Sequence, residues 1–158
     1  MTVISDRKRA ERLLADNRKA HHDYHILHTY EAGIVLLGTE VKSIREGRVN
    51  LRESFARVEG GEVFIYNIHV SPYSHRGYAD HEPTRRRKLL LHKSEIRRLI
   101  GKTVERGMTL VPVRMYLKNG RVKVVVGVAK GKKLYDKRET LRLREAERET
   151  RRAIKQRR

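Results

Sequence analysis

The sequence predicts a mainly β chain: a small, partly closed antiparallel barrel with two or three short helices, followed by a flexible basic C-terminal tail. Two observations predict the barrel. Six short runs rich in Val, Ile, Leu and Tyr (24–27, 34–37, 55–58, 63–70, 109–117 and 122–128) are punctuated by Gly33, Gly47, Gly60-Gly61 and Asn119-Gly120. That is the rhythm of short strands and tight turns, and only two segments between them carry helical spacing. A third observation predicts the tail: beyond Val128 the apolar residues thin out, and residues 130–158 hold 13 Lys plus Arg against 5 Asp plus Glu.

Taken in order, a polar N-terminal stretch gives way near Tyr24 to the first strands. Residues 40–45 form a short helix, and a second begins at Ser94, where Ile96, Leu99 and Ile100 recur at i, i+3 and i+4, and ends between Gly101 and Gly107. Asn119-Gly120 is the surest hairpin, because a two-residue turn between strands needs the positive φ that Asn and Gly tolerate. Pro112 lacks an N–H for the ladder, so its strand is expected to be an edge or to carry a bulge. Many short strands with one or two helices close most readily as a small antiparallel barrel. Between the strands, residues 73–88 make a long loop with Tyr73, Tyr78, His75 and His81, and a basic run of Arg85, Arg86, Arg87 and Lys88 at its end. Aromatic planes for bases and cations for phosphates are the chemistry of RNA contact; solvated loop charge is the plain alternative.

The chain has 158 residues, a formal net charge of +19 and a pI near 10.7. One small domain with a basic appendage and a polyanionic partner fits these figures. The expected division is a barrel over 1–130 and a tail over 131–158. No apolar run approaches the ~20 residues of a membrane span. With no cysteine there is no disulfide framework or thiolate zinc site, and the N-terminus has no apolar signal core, so a cytoplasmic location is expected. From 137 to 158 there is no Gly or Pro, yet only Leu141, Leu143, Ala146, Ala153 and Ile154 offer apolar surface. Such a segment is expected to be disordered when free and helical when bound.

Enzyme chemistry finds little support. His21, His22, His25 and His28 have a spacing that on a helix would place imidazoles together. The run HHDYHILHTY reads better as a strand, with His22, Tyr24, Ile26 and His28 on one face and His21, Asp23 and His25 on the other. Paired carboxylates for magnesium, a Ser/His/Asp order and a phosphate-cradling glycine loop are all missing from the sequence. No catalytic residue, metal or cofactor is therefore assigned. A general basic RNA chaperone and a metal-dependent nuclease remain as alternatives to a specific RNA-binding protein.

Five motifs occur in one order along nearly the whole chain: NRKAHHDY (17–24), Glu31-Ala32-Gly33, GTEVKSIR (38–45), PTRRRKLLLHK (83–93) and VAKGKKLYDKR (128–138). Together they make the chain resemble the small protein B family, the SsrA-binding proteins that partner transfer-messenger RNA in bacterial ribosome rescue. The resemblance implies a barrel akin to the oligonucleotide-binding fold, which grips the tRNA-like part of that RNA, and a tail that enters the decoding region and mRNA channel of a stalled small subunit. It implies a non-catalytic monomer, with alanyl-tRNA synthetase and elongation factor Tu as indirect partners. By motif, the RNA-gripping residues would be Arg18, Lys19, Tyr24, Glu31, Leu90 and His92, joined by the basic-run residues Arg85 and Arg87. The tail residues would be Gly131, Lys132, Lys133, Tyr135, Asp136, Lys137 and Arg138. His92 stands where the family often has Asn, and Tyr135 where many members have His, which keeps a flat ring for stacking but removes an imidazole proton.

Overall fold

The computed structural model of the chain describes residues 11–73, 80–103, 108–132 and 134–156. His75 and Tyr78 of the long loop, Gly107 and the tail residue Lys133 lie outside the described residues. Nine strands and four helices follow one another within them: β1 (Glu11–Asp16), α1 (Arg18–Asp23), β2 (Tyr24–Ile34), α2 (Gly38–Arg45), β3 (Val49–Asn50), β4 (Phe55–Glu59), β5 (Glu62–Tyr66), β6 (His69–Val70), β7 (Arg87–Leu90), α3 (Lys93–Thr103), β8 (Met108–Lys118), β9 (Arg121–Gly131) and α4 (Leu134–Gln156).

Six of the strands close a ring, β8-β4-β5-β7-β2-β9 and back to β8, all neighbours antiparallel, with β1 added outside on β8. Closure helps the shorter strands β4, β5 and β7 to be stable, since each ring strand thereby has a partner on both sides and period-2 alternation sends one set of side chains inward. Leu51, Ile65, Leu89, Leu110, Met115, Val124 and Val126 fill the interior with Ile44 of α2 and Leu99 of α3. Both helices thus act as lids on the barrel core. Of the expected i, i+3, i+4 face on α3, Leu99 is fully buried, Ile96 packs partly and Ile100 is exposed.

Asn119 and Gly120 both have positive φ, 51° and 75°, the two-residue turn expected between β8 and β9. The bulge expected at Pro112 is present, as the β8–β9 register shifts between Pro112 and Arg114. Yet β8 is not an edge, for β1 covers its other side. The missing N–H falls at the bulge, and the Pro112 carbonyl accepts from the Asn17 side chain at 2.8 Å.

Several features depart from the sequence reading. β7 forms at residues 87–90, where the long loop was expected to end. β1 and α1 form where only a polar stretch was expected. Buried Asn17 is the reason α1 exists: its Oδ1 caps the Ala20 N–H, while its Nδ2 donates to Leu51 O and Pro112 O. His21 and His22 are therefore helical rather than in a strand. β2 then runs unbroken to Ile34 with a register shift between Ile26 and His28, which breaks the alternation expected through His28. The run 34–37 leaves the sheet after Ile34, and Leu37 becomes the N-cap of α2. Residues 63–70 divide into β5 and β6 at Asn67, whose φ is +64°.

The tail residues 134–156 are a helix, α4. Leu141, Leu143 and Ile154 are about half exposed or more, and α4 touches α1. Its apolar residues thus find little cover on the barrel.

Candidate nucleic-acid interface

The outer face of the sheet carries a cross-strand line. Leu13 opposes Tyr116, Tyr116 opposes Lys123, Lys123 opposes Gly33, and Gly33 opposes Leu90. Directly opposed residues in a ladder project to the same side, so five strands bring these positions into one row. The next row adds Glu31 opposite Val125 and Arg114 opposite Val125. Leu13 and Leu90, at the two ends, are 62% and 52% exposed. These are large apolar side chains held out of the core by register.

Glu31 is the polar centre of this face. The Tyr116 hydroxyl donates to its Oε2, and Lys118 Nζ lies 3.4 Å from Oε1. The hydrogen bond from Tyr116, outweighing the desolvation, and the nearby Lys118 and Lys123 hold the Glu31 carboxyl below the usual carboxylate range. Burial first, and the Glu31 carboxylate second, push the Tyr116 phenol up. The arrangement is an ionised, oriented carboxylate with acceptor capacity to spare, suited to ribose hydroxyls and base N–H groups. Leu90 rests on Gly33, where an added Cβ would come within 3.3 Å of its own Cβ. Glycine there lets an apolar side chain lie flat on the sheet. Two residues on, exposed His92 immediately precedes α3: its N–H donates to Glu95 Oε1 and its carbonyl accepts from Ile96 N–H.

Tyr24 stands at the other end of β2, seven residues from Glu31, or about 23 Å along an extended strand. Its N–H closes α1 on Ala20 O, and its side chain packs against the small buried cluster of Ala20, Val111 and Ala129. The adjoining Lys19 pairs with Glu53, and Arg18 is exposed. Among the sequence-predicted residues, the fold brings Glu31 and Leu90 together, and separately Arg18, Lys19 and Tyr24.

The basic run is divided by the strand period. Arg87 is 1% exposed; it donates to Glu40 Oε2 through Nε, to Ile68 O at 2.9 Å and to Pro83 O at 3.1 Å. Arg85 donates to the same carboxylate at 2.6 Å. Burial drives the Glu40 carboxyl up, but the Arg85, Leu37 N–H and Arg87 hydrogen bonds outweigh it and leave it below its ordinary range. Arg87 therefore has no surface to offer a phosphate, and the phosphate role considered for it is corrected: its charge is consumed tying β7 to α2. Arg86 and Lys88 face outward instead, paired with Glu59 at 3.1 Å and Glu62 at 2.8 Å.

At the tail's root, Gly131 opposes Tyr24, and Lys132 donates to Asp23 O through its N–H and to His21 O through Nζ. Tyr135, Asp136 and Lys137 fall in the first turns of α4, and Arg138 is exposed. Sequence reasoning missed Leu13, Tyr116, Lys118 and Lys123. The period-2 placement of Arg114, Tyr116 and Lys118 against buried Val113 and Met115 was the signal for three cross-strand neighbours of the Glu31 face. Among the described residues, no three His, Asp or Glu side chains gather as metal ligands, and no helix is long and apolar enough to cross a membrane.

The profile of the SmpB protein family matches residues 14–156. The SsrA-binding protein of Carboxydothermus hydrogenoformans is 60% identical over 147 residues, spanning 93% of this chain and 99% of its own. That of a Geobacillus species is 61% identical over 146 residues, 92% of this chain and 94% of its own. A solved chain described as "tmRNA-SmpB: a journey to the center of the bacterial ribosome" superposes with a TM-score of 0.65 at 54% identity, over 76% of this chain and 85% of that one.

Proposed function

The chain belongs to the SmpB protein family, and we propose that it binds transfer-messenger RNA and brings it to stalled ribosomes for rescue. The finer division of labour is part of the proposal. The barrel grips the tRNA-like domain, and the tail from Gly131 onward occupies the decoding region and mRNA channel of the small subunit, where it replaces codon and anticodon. The charged alanine and elongation factor Tu are then met through the RNA. The protein works as a monomer in the cytoplasm and performs no catalytic step.

The observation that carries the barrel's role is the outward Leu13-Tyr116-Lys123-Gly33-Leu90 row beside an oriented Glu31 carboxylate. A folding core has no use for two half-exposed leucines around an ion-paired carboxylate, whereas an RNA elbow offers sugar and base surface for both. The surplus of cations supplies the salt-dependent part of the affinity.

The test compares a tRNA-like RNA with random RNA of equal length at physiological salt, while watching for cleavage products. Preference for the structured RNA without cleavage supports the reading; equal binding supports a general chaperone, and cleavage a nuclease. In the same assay, Glu31→Ala and Tyr24→Ala lose more affinity than any single tail substitution. A chain ending at Lys132 keeps RNA binding and loses tagging of stalled peptides. The cut is placed there because Lys130 and Gly131 pair with His25 and Tyr24.

A further inference from the structure

A groove of about 540 Å³ opens between α1, the start of β4 and the β5–β6 corner, with Tyr24 on one wall and Phe55, Arg57 and Asn67 on the facing one. Three independent observations set it apart from an ordinary surface crease. Phe55 and Tyr66 stack with ring centres 5.3 Å apart and planes 11° from parallel. The Arg57 guanidinium lies over this pair, 5.0 Å from one ring centre and 5.8 Å from the other. Arg57 is exposed, and no carboxylate of the described residues pairs with it. Most exposed arginines lose side-chain freedom when they meet a ligand; this one already rests against two rings.

The second observation is backbone strain. Only three non-glycine residues among those described have positive φ: Asn119 in the hairpin turn, and Glu53 and Asn67, both at +64°. The two outside the hairpin turn both line this groove, and strained backbone that the surrounding fold maintains gathers at binding sites. The third is charge. Lys19 at the rim pairs with Glu53, but the two side chains are 40% and 66% exposed, so the pair is weak and yields to a better anion. Asp23, the other carboxylate on the groove, is engaged by His22 at 2.9 Å.

We propose that this groove takes one unstacked nucleotide of the bound RNA, its base laid on the Arg57 plane across from Tyr24 and its phosphate at Lys19. This rests on the RNA-binding reading above, and adds to it a facing wall on β4 and β5. A planar cation backed by two rings receives any base face, so the contact selects for an unpaired nucleotide rather than for a particular base.

The probe is a tRNA-like RNA carrying 2-aminopurine at single unpaired positions, with Arg57→Ala, Arg57→Lys and Phe55→Leu compared with the native chain. Arg57 is exposed and Leu keeps most of the apolar volume, so all three fold; thermal melts verify it. Arg57→Ala and Phe55→Leu are expected to weaken binding roughly tenfold to a hundredfold, and the fluorescence quench at one position is lost. Arg57→Lys keeps the charge without the plane and fails nearly as badly, with an unchanged salt slope. Native affinity in Arg57→Lys would mean that charge alone acts there, and overturns the stacking. If Glu31→Ala, which lies outside the groove, weakens binding while all three groove variants bind normally, the groove is empty and the RNA-binding reading stands. If none of these four variants matters, the reading itself is wrong.

Discussion

Glu40→Gln tests how the barrel holds its outer face in place. The Glu40 carboxylate is wholly buried, accepts from Arg85, Arg87 and the Leu37 N–H, and joins α2 to the strand that presents Leu90. Glutamine keeps the shape and one acceptor. It removes the negative charge and points N–H groups at a guanidinium whose side chain has no exposed surface. Breaking a buried pair by removing one partner costs about 3–5 kcal/mol; Arg85, a third exposed, adds less than about 1 kcal/mol. For a domain of this size that lowers the melting temperature by roughly 6–20 °C. Urea titration reads it as a shift of midpoint at constant slope. Replacing both members, Glu40→Met with Arg87→Met, is expected to recover most of the loss, because no fully buried charge is then left uncompensated and Arg85, a third exposed, can turn to water. A single variant within about 1 kcal/mol of the native chain would refute the reasoning. It would mean that the carbonyls of Ile68 and Pro83 suffice for Arg87.

The same carboxylate sets an acid limit. Its folded pKa lies below its unfolded one, so its contribution is complete above the ordinary carboxylate value, near ~4.3, and fades as pH falls through the folded value; urea midpoints of Glu40→Gln lack that part of the decline. Gly127→Ala places a Cβ 2.9 Å from Ile26 Cγ2 and 3.0 Å from Val113 Cγ2, and is expected to cost about 1–3 kcal/mol by urea titration; native stability would show that β2 gives way freely. Tyr116→Phe removes the donor on Glu31 and is expected to weaken RNA binding severalfold in the native chain but not in Glu31→Ala, a non-additivity that a double-mutant cycle measures. Ala146→Pro, at a cost of about 3 kcal/mol in a helix interior, spares RNA binding and stops peptide tagging. If tagging proceeds at the normal rate, a helical tail is not part of rescue. In the free protein, α4 amides exchange faster than those of β2 and β9.

The parts of the fold legible in the sequence were those written in local chemistry. Asn119-Gly120 and Pro112 announce a turn and a bulge because each has a backbone preference of its own, and the Val-rich runs announce the ring. What escaped was decided by distant partners. β1 has only Leu13, Leu14 and Ala15 as apolar residues, and its register comes from β8. α1 depends on Asn17, whose side chain reaches Leu51 and Pro112, 34 and 95 residues away. A one-residue register shift after Ile26 was enough to undo the facial reading of the histidines. By sequence, Arg87 reads as one of four cations of a basic run open to RNA phosphates. The alternation with Leu89 placed it inward, but only a buried Glu40 from another element makes that position tenable. Glu31 and Leu90 were named by motif, while their neighbour Tyr116 needed the sheet.

The junction of β9 with α1 bears on where the far end of the chain arrives. A 23-residue helix is about 34 Å long at 1.5 Å per residue, so a tilt of roughly 10° at its base carries its tip through about 6 Å, more than a full helical turn. A pointer of that length magnifies every looseness at its pivot. The two hydrogen bonds from Lys132 to Asp23 O and His21 O, at 2.9 and 3.1 Å, lie just ahead of that pivot. They fix the heading of the strand end against the helix that leads into Tyr24. Two short bonds thus steady the strand end from which the long arm departs.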